Sequence, residues 1–396
     1  GGNYHNLKEL SSLPLSSYKE LNYAGWPAVH HKSFSYTNNI FHIMRQQDIM
    51  LHIPYQSYNP VLRFFNEAAI DKDVREIYIT MYRVASDSRI ANALISAASN
   101  GKKVTVFVEL KARFDEANNL KWAKKMKAAG IKIIYSIPGL KVHAKIALIK
   151  RKEINRIQYY SVLATGNFNE STAKFYTDHI LFTTQKNLVK EMELLFIFLA
   201  YRKKADQFPC LQFNHLLVAQ FNLQQKFISL INREIENANK GIPGRIVIKL
   251  NNLEEKVLIQ KLYDASNAGV QVQLIVRSIC CLIPGVKNMS ENITVTRIVD
   301  RNLEHGRIFI FHNNGNTEIY MGSADWMNRN IYRRIEVCFP IPDEKIKKQL
   351  TEIINIQLSD SVKAVSLNNV LENIPVIATN NPVQSQKMIC EYLSNN

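Results

Sequence analysis

The sequence predicts an α/β protein made of two similar halves, each with a mixed, mostly parallel sheet flanked by helices. Three observations support this fold class: the length of the chain, its alternating strand and helix patterns, and a short histidine motif that occurs twice. A chain of 396 residues is long for one hydrophobic core, so two domains are expected. Strands that alternate with helices are typical of α/β folds. We expect one active site between the halves.

The first half alternates strand and helix patterns after a less regular beginning. Residues 1–47 show no sustained period, and we interpret them as a connector or the remnant of a preceding domain. The stretch 74–83 alternates and is rich in β-formers, which predicts a strand, and 90–98 predicts a helix that ends before Gly101. Three further elements are predicted in this half: a strand at 104–110, a helix at 120–129 and a strand at 131–135.

The second half repeats this order. A helix pattern at 254–267 ends before Gly269, and a strand pattern follows at 270–277. Segments 93–109 and 261–277 share the order helix, glycine turn, strand at a constant offset of 168 residues (261 − 93). Two more strands are predicted, at 245–250 and 293–298. The predicted domains are therefore 48–205 and 206–396.

A histidine lies two residues before a cation once in each half, and a glycine-containing turn that ends in Asn or Asp follows it. This composition suits two half-sites that meet at one phosphate. One histidine can attack phosphorus while the other handles a proton, and the cations hold the oxygens. The motif residues are His143, Lys145 and Asn169 in the first copy, and His305, Arg307 and Asp325 in the second.

Strand geometry explains the spacing between each histidine and its cation. Side chains at positions i and i+2 of a strand point to the same face. The stretch 142–149 has strand character, so we expect His143 and Lys145 to project together. His305 and Arg307 repeat this spacing before an apolar run. The other histidines lack this context and are interpreted as structural or surface residues.

Three arginines lie at or just beyond the ends of predicted strands. Arg83 closes the first strand, Arg113 follows the next, and Arg277 ends the equivalent strand of the second half. α/β folds bind ligands at the C-terminal ends of strands, and a planar guanidinium suits phosphoryl oxygens. We therefore expect these arginines at the site.

The composition favours a polyanionic partner, because Lys and Arg exceed Asp and Glu by 16 (50 − 34). The sequence contains no GxxxxGK[ST] loop, HExxH motif or paired CxxC motif, which argues against P-loop nucleotide binding and a zinc site. Its longest apolar runs are shorter than the roughly 20 residues of a membrane span. The polar N-terminus and the unpaired pattern of cysteines favour a cytoplasmic protein.

Seven stretches carry a resemblance to a known family: 82–85, 106–116, 138–145, 166–169, 303–305, 323–327 and 334–337. The chain resembles the bacterial polyphosphate kinases that work through a phosphohistidine, and each half is similar to half of a phospholipase D. The resemblance implies that the halves are the paired C-terminal domains of that family. It also implies that only the last stretch of a preceding head domain is present here.

The resemblance assigns roles to four residues. His143 corresponds to the histidine that takes the γ-phosphate of ATP. His305 corresponds to a second active-site histidine, which contacts nucleotide and acts as acid or base. Tyr176 and Arg277 correspond to positions that bind ATP.

Further residues are expected around the phosphates. Lys145, Arg307 and Asn169 are expected to hold phosphate oxygens. Arg83 and Arg113 correspond to positions that the family assigns to magnesium. A guanidinium cannot ligate a cation, so a backbone carbonyl or a shared phosphate is expected to make that link.

The predicted function is reversible transfer of the ATP γ-phosphate, through phospho-His143, to the end of a polyphosphate chain, with release of ADP. Two alternatives stay open: a phosphodiesterase or nuclease of the phospholipase D class, and a catalytically incomplete polyanion-binding fragment. Arg307 and Asp325 stand where the diesterase pattern has Lys and Asn, which favours the kinase. The resemblance implies Mg²⁺ as cofactor, ATP and polyphosphate as partners, and a homo-oligomer at full length. Nucleic acid is not an expected partner, and peripheral association with the inner face of the membrane is compatible with the charge.

Overall fold

Two large sheets organise the chain, one in each half. The computed structural model describes residues 13, 18–23, 25–34, 37–109, 112, 115–137, 139–154, 156–377 and 381–395. The prediction for Arg113 lies outside these residues.

The first half consists of five helices and eight strands within the described residues, together with short 3-10 turns. The helices are α1 (Ile40–Gln46), α2 (Asn59–Ile70), α3 (Arg89–Ser99), α4 (Glu116–Ala128) and α5 (Lys186–Tyr201). The strands are β1 (Ile49–Ile53), β2 (Val74–Met81), β3 (Lys103–Val108), β4 (Lys132–Tyr135), β5 (Lys141–Val142), β6 (Ile146–Glu153), β7 (Arg156–Ala164) and β8 (Tyr176–Thr183).

The second half follows with a similar set. Its helices are α6 (Leu223–Asn239), α7 (Lys256–Asn267), α8 (Asn328–Tyr332), α9 (Glu344–Leu358) and α10 (Ser385–Asn395). Its strands are β9 (Leu217–Val218), β10 (Arg245–Leu250), β11 (Gln271–Val276), β12 (Ile293–Ile298), β13 (Leu303–Glu304), β14 (Arg307–Phe311), β15 (Glu318–Gly322), β16 (Arg334–Ile335), β17 (Val337–Pro340), β18 (Ala364–Leu367) and β19 (Asn373–Pro375).

Both sheets are mixed, which confirms the predicted α/β fold of two repeated domains. The first has the order β1-β8-β7-β6-β2-β3-β4, and the second has the order β19-β18-β12-β11-β10-β14-β15-β17-β9. The parallel pairs are β2–β3–β4 and β10–β11–β12, and antiparallel ladders make up most of the rest. The parallel part is therefore narrower than predicted. Parallel strands need a long crossover, such as α3 or α7, whereas a short connection joins antiparallel neighbours such as β14 and β15.

Each half contributes one short strand to the other. β13, from the second half, pairs in parallel with β8 of the first sheet. β5, from the first half, pairs in parallel with β16 from the second half, and these two strands form a separate small sheet. The two exchanges are equivalent in the repeat, and each places a strand end of one half beside a strand end of the other.

Within the described residues, three large hydrophobic cores lie in layers, and a small fourth cluster packs Tyr55 against α9 and α10. The first packs α1–α4 against one face of the first sheet, and the third packs α6 and α7 against one face of the second. The middle core joins the inner faces of both sheets through α5 and α9, with contributions such as Met192 and Leu350. Because the halves share this core, side chains from both can be held in one rigid site.

The first core also includes residues that precede β1. Phe34, Ile40 and Met44 are fully or almost fully buried in it. The region that we interpreted as a connector therefore packs with the first domain over its last part, and the domain boundaries stay predictions. Within the described residues, no helix is both long and apolar enough to cross a membrane.

Candidate active site

The two exchanged strands carry the motif histidines at their ends. His143 directly follows β5, and its backbone N–H and that of Ala144 both donate to the carbonyl of Ile335 in β16, at 2.9 and 3.0 Å. His305 directly follows β13, and its N–H and that of Gly306 both donate to the carbonyl of Thr177 in β8, at 3.3 and 2.8 Å. The predicted continuous strand over 142–149 is therefore wrong at 143–145. At these residues the backbone leaves the β5–β16 pairing with the second half and returns to the first sheet as β6.

Each histidine meets a carboxylate from the opposite half, on the residue that follows the last position paired with the exchanged strand. His143 Nδ1 lies 2.8 Å from Glu336 Oε2. Burial lowers the pKa of His143 to about 3, although the charge of Glu336 opposes this. At neutral pH the ring is therefore neutral, and its Nδ1–H donates to the carboxylate. This contact fixes the tautomer and leaves the Nε2 lone pair of His143 available as a nucleophile.

Glu336 is fully buried and is held as an anion. Burial alone would favour the protonated acid, but the charges of His143, Lys145 and Arg334 lower the pKa of this carboxyl to about 2. The hydroxyl of Ser323 and the side-chain amide of Asn330 donate to its two oxygens. Such a fully satisfied carboxylate can hold one ring orientation.

Lys145 and Tyr82 complete the surroundings of His143. The Tyr82 ring meets the His143 ring edge to face, with centroids 4.6 Å apart. The ammonium of Lys145 lies 5.3 Å from the Tyr82 ring centroid and donates to the His143 carbonyl. Burial lowers the pKa of Lys145 well below its usual value. The predicted convergence of His143 and Lys145 on one side is thus present without strand geometry.

His305 mirrors this arrangement. Its Nδ1 lies 2.8 and 2.9 Å from the two oxygens of Asp178, and Thr165 donates its hydroxyl to Asp178 at 2.6 Å. Burial lowers the pKa of His305, and Asp178 opposes this shift. Burial tends to raise the pKa of Asp178, but His305 and the Thr165 hydroxyl bring it below its usual value. Both histidines are therefore neutral rings with a fixed Nδ1–H.

The cation of the second copy is anchored differently from Lys145. Arg307 forms a two-point ion pair with Asp325, with contacts of 3.1 and 3.3 Å, and donates to the carbonyl of Thr165 in the first half at 3.2 Å. Its Nη1 also lies 3.3 Å from His305 Nε2. Asn169 is the counterpart of Asp325 in the first copy, but it does not pair with a cation. Its Oδ1 accepts from the backbone N–H groups at the 3-10 turn that follows it. Arg307 and Asp325 thus differ from Lys145 and Asn169 as a pair.

The glycines of the two motifs are required by close packing. A Cβ on Gly166 would lie 2.0 Å from Asp178 Oδ2, and one on Gly322 would lie 2.4 Å from the carbonyl oxygen of Val337. A Cβ on Gly306 would lie 2.7 Å from the ring of His179, which is buried. The sequence pattern reflects this crowding and not flexibility of the turns.

Tyr176 and Arg277 lie on the His305 side of the site. The Tyr176 ring centroid is 5.0 Å from that of His305. Arg277 donates through Nε to the carbonyl of Glu304 at 2.6 Å and to Asn251 Oδ1 at 3.1 Å. The Asn251 side chain donates in turn to the His305 carbonyl at 3.1 Å. The nucleotide-binding candidates therefore form one cluster, with Asn251 as a connecting residue that the sequence did not reveal.

Arg83, one of the residues that the resemblance assigns to magnesium, does not fit direct ligation through its side chain. The Arg83 guanidinium forms an ion pair with Asp115 at 3.1 Å, and a guanidinium offers only donors. The Arg83 carbonyl accepts a 3.4 Å contact from the Asn169 side chain. Among the described residues, no cluster of three or more His, Cys, Asp or Glu could hold a metal ion.

The partner carboxylates were missed in the sequence, although a signal for them exists. Thr165 precedes Asp178 by 13 residues, and Ser323 precedes Glu336 by the same number. Each hydroxyl follows or lies within a motif already noticed, and each acid follows a short β-pattern. A comparison of the two repeats would have shown that Asp178 and Glu336 occupy equivalent positions, 13 residues after the hydroxyl in each case.

The buried histidine and carboxylate predict a pH dependence of stability. His143 has a pKa of about 3 in the folded protein against 6.5 normally, and Glu336 has about 2 against 4.5. Folding lowers both pKa values. The contribution of these groups to the free energy of unfolding is therefore complete above pH 6.5, and it is lost as the pH falls through the pKa values of the folded protein. We expect the free energy of unfolding to decrease steadily on acidification below that pH.

A single variant isolates the contribution of His143. His143→Asn should reduce the slope of unfolding free energy against pH by about 1.4 kcal/mol per unit between about pH 5 and 6, measured by urea unfolding. His31 and His52, with pKa values of about 4, contribute equally to both proteins. An exposed control without a titratable group, Gln46→Ala, should leave the slope unchanged. Equal slopes for the parent and His143→Asn would show that folding does not hold this ring neutral.

The fold and the site define a class: a two-domain α/β protein in which both halves contribute to a shared site. Each half supplies one histidine, together with the carboxylate that contacts the histidine of the other half. A phosphatidylserine synthase from Haemophilus influenzae shares this fold, with a TM-score of 0.54 at 12% identity over 88% of this chain and 93% of that one. Two family models match the chain. "Polyphosphate kinase C-terminal domain 1" covers residues 39–205 and "Polyphosphate kinase C-terminal domain 2" covers residues 216–386.

The chain belongs to the polyphosphate kinase family, as the resemblance predicted. The polyphosphate kinase of Vibrio cholerae is 42% identical over 100% of this chain and 56% of its own length. The crystal structure of polyphosphate kinase from Porphyromonas gingivalis has a TM-score of 0.91 at 43% identity, and the match covers 100% of this chain and 60% of that one. This chain therefore spans little more than half the length of the relatives that it matches.

Proposed function

We propose that this chain carries the phosphotransfer site of a polyphosphate kinase, which moves the γ-phosphate of ATP through His143 to the end of a polyphosphate chain. The observation that supports this most directly is the His143–Glu336 pair. A neutral ring with its Nδ1–H held at 2.8 Å by a carboxylate has one free lone pair, on Nε2. Membership of the polyphosphate kinase family supports the choice of substrates.

The transfer balances in two steps. In the first, the His143 Nε2 lone pair forms a bond to the γ-phosphorus, the bond from that phosphorus to the β–γ bridging oxygen breaks, and ADP leaves with the electron pair. In the second, a terminal oxygen of polyphosphate attacks the same phosphorus, and the electrons of the N–P bond return to Nε2. Both steps are reversible, since each exchanges a phosphoanhydride P–O bond and the N–P bond of phosphohistidine for one another.

The cations have a direct task in these steps. A transferring phosphoryl group spreads negative charge over three oxygens, and fixed positive groups stabilise it without reorganising. Lys145 and Arg307 are both buried near the histidines, and the charge of Arg307 contributes to the lowered pKa of Lys145. A phosphate between them would relieve this repulsion. We assign to His305, Tyr176 and Arg277 the contacts to nucleotide.

Magnesium would enter with the nucleotide, bound to its phosphates, because the described side chains do not form a direct site for it. When bound there, Mg²⁺ would neutralise part of the charge of the nucleotide phosphates. A cytoplasmic location, a homo-oligomeric state and peripheral contact with a membrane stay predictions.

One experiment separates the proposal from its rivals. The chain and the full-length gene product are each incubated with γ-labelled ATP, with phosphatidylcholine and with single-stranded DNA. Acid-labile label that maps to His143, together with formation of ADP, is the expected result. Cleavage of a diester without labelling would identify a phosphodiesterase instead. Labelling of the full-length product alone would identify this chain as an incomplete catalytic part.

A further inference from the structure

A second buried carboxylate next to His305 has no part in the steps above. Glu304 is 2% exposed, and both of its oxygens are occupied. The Lys249 ammonium, the Thr177 hydroxyl at 3.0 Å and the Gln357 amide at 2.8 Å donate to Oε2. The Gln386 amide donates to Oε1 at 2.7 Å. A buried ion pair is costly unless such additional hydrogen bonds satisfy it, and its best-attested use is to fix one geometry.

The position of Glu304 links it to both nucleotide-side groups. It is the last residue of β13, and the next residue is His305. Its backbone carbonyl accepts the 2.6 Å hydrogen bond from Arg277 Nε. Any displacement of this residue therefore moves the origin of the His305 side chain and the acceptor that orients Arg277.

Two helices near the C-terminus supply the amide donors. Gln357 lies in α9 and Gln386 in α10. Gln386 also closes a two-way contact with the backbone of Asn302, because it donates to the Asn302 carbonyl and accepts from its N–H, each at 2.9 Å. Both helices thus hold β13 through the Glu304 side chain, and α10 also holds the backbone of Asn302, the residue before the strand. The strand has only two residues, so its own ladder to β8 cannot fix it alone.

We propose that Glu304 is a positioning residue for nucleotide binding and that α10, through Gln386, holds β13 where Arg277 and His305 can engage the nucleotide. The proposal rests on the proposed function only in the choice of nucleotide. Removal of Gln386 leaves Glu304 with one fewer charge-assisted hydrogen bond and frees the Asn302 backbone. The expected effect appears in affinity for ADP more than in the rate of phosphorus chemistry at His143.

The test compares two neighbouring glutamines in the full-length gene product. Gln386→Ala should weaken ADP binding about 10-fold, measured by calorimetry, and raise KM for ATP with a smaller change in kcat. Gln384→Ala is the matched control. Its amide donates to Asp300 at 2.8 Å and has no contact with Glu304, so ADP affinity should be unchanged. Because ADP binding is measured without turnover, it stays informative even if phosphotransfer is absent.

A paired substitution keeps the proposal falsifiable if single changes at Glu304 prevent folding. Glu304→Gln with Lys249→Met removes both charges. The new amide oxygen can accept from Gln386, and the new amide nitrogen can donate to Gln357 Oε1, which has no hydrogen-bond partner here, once the Gln357 amide turns over. This protein should fold and bind ADP within about 3-fold of the parent, whereas Glu304→Ala with Lys249→Met should lose about 10-fold or more. Equal ADP affinity in the parent, in folded Gln386→Ala and in the alanine pair would overturn the positioning role. Loss of affinity in the folded Glu304→Gln pair would overturn it as well, because charge and not position would then matter.

Discussion

His143→Ala is expected to abolish both labelling by γ-labelled ATP and polyphosphate synthesis, with a fall in rate of about 10⁴-fold or more. The Nε2 lone pair of this ring is free to attack, because Glu336 occupies Nδ1 at 2.8 Å, whereas Nε2 of His305 lies 3.3 Å from Arg307 Nη1. The ring is also neutral over the working pH range, since burial lowers its pKa to about 3. The measurement is acid-labile phosphate on the protein after rapid mixing with ATP, alongside polymer formation in the same reaction.

The control variant is His42→Ala, which removes an exposed ring that contacts only Gln46 in the hydrogen bonds of α1. It should retain full labelling. Glu336→Gln provides an intermediate case, since the amide can still accept from Nδ1–H but no longer carries charge, and labelling should slow by about 10- to 100-fold. Acid-labile phosphate that persists on His143→Ala would contradict the mechanism, and mapping it to His305 would reverse the assignment of the two histidines.

The roles of the two histidines could be approached from the sequence because the motif is local. A histidine, a cation two residues later and a following glycine turn lie within about 30 residues in each half. The helices behind them were also accessible, since a continuous apolar stripe and a terminal glycine predict α3 and α7. Local patterns of this kind depend on the period of one element and not on its partners.

The partners of the histidines could not be predicted in the same way. Glu336 reaches His143 only because β5 leaves its own half to pair with β16, and these residues are 193 positions apart. Asp178 reaches His305 through the equivalent exchange of β13. Strand pairing across such a distance is set by the shared middle core, to which both halves contribute, and no single stretch of sequence encodes it. The interruption of the strand at His143 has the same origin.

The two half-sites differ in how each cation is paired. In the first half-site, burial lowers the pKa of Lys145 although the charge of Glu336 opposes this shift, and Asn169 accepts from the backbone of the turn that follows it. In the second, Arg307 carries its own partner in Asp325 and reaches across to the Thr165 carbonyl. A cation with a built-in counter-charge is suited to holding a bound anion in place. A cation with a lowered pKa and no dedicated acid is suited to responding when a phosphoryl group arrives.

Asp178→Asn is expected to lower the overall transfer rate by about 10²- to 10⁴-fold, with a larger effect on labelling of His143 by the nucleotide than on transfer from phospho-His143 to polyphosphate. Asp178 contacts His305 Nδ1 through both oxygens, at 2.8 and 2.9 Å, and its charge is the principal force that opposes the lowering of the His305 pKa by burial. An asparagine can keep one hydrogen bond but removes this charge. Single-turnover labelling and its decay on addition of polyphosphate measure the two steps separately.

The sign of the pH effect follows from the same contact. Without the Asp178 charge, the pKa of His305 falls further below its usual value, so any step that needs the protonated ring moves to lower pH. The pH optimum of Asp178→Asn should therefore shift towards acid, whereas Asp73→Asn, which removes a surface partner of Arg151, should shift neither the optimum nor the rate. An unchanged optimum with a reduced rate would mean that Asp178 orients the ring without tuning it. In that case His305 acts as a neutral contact to nucleotide, and proton transfer at this site is carried by the substrates themselves.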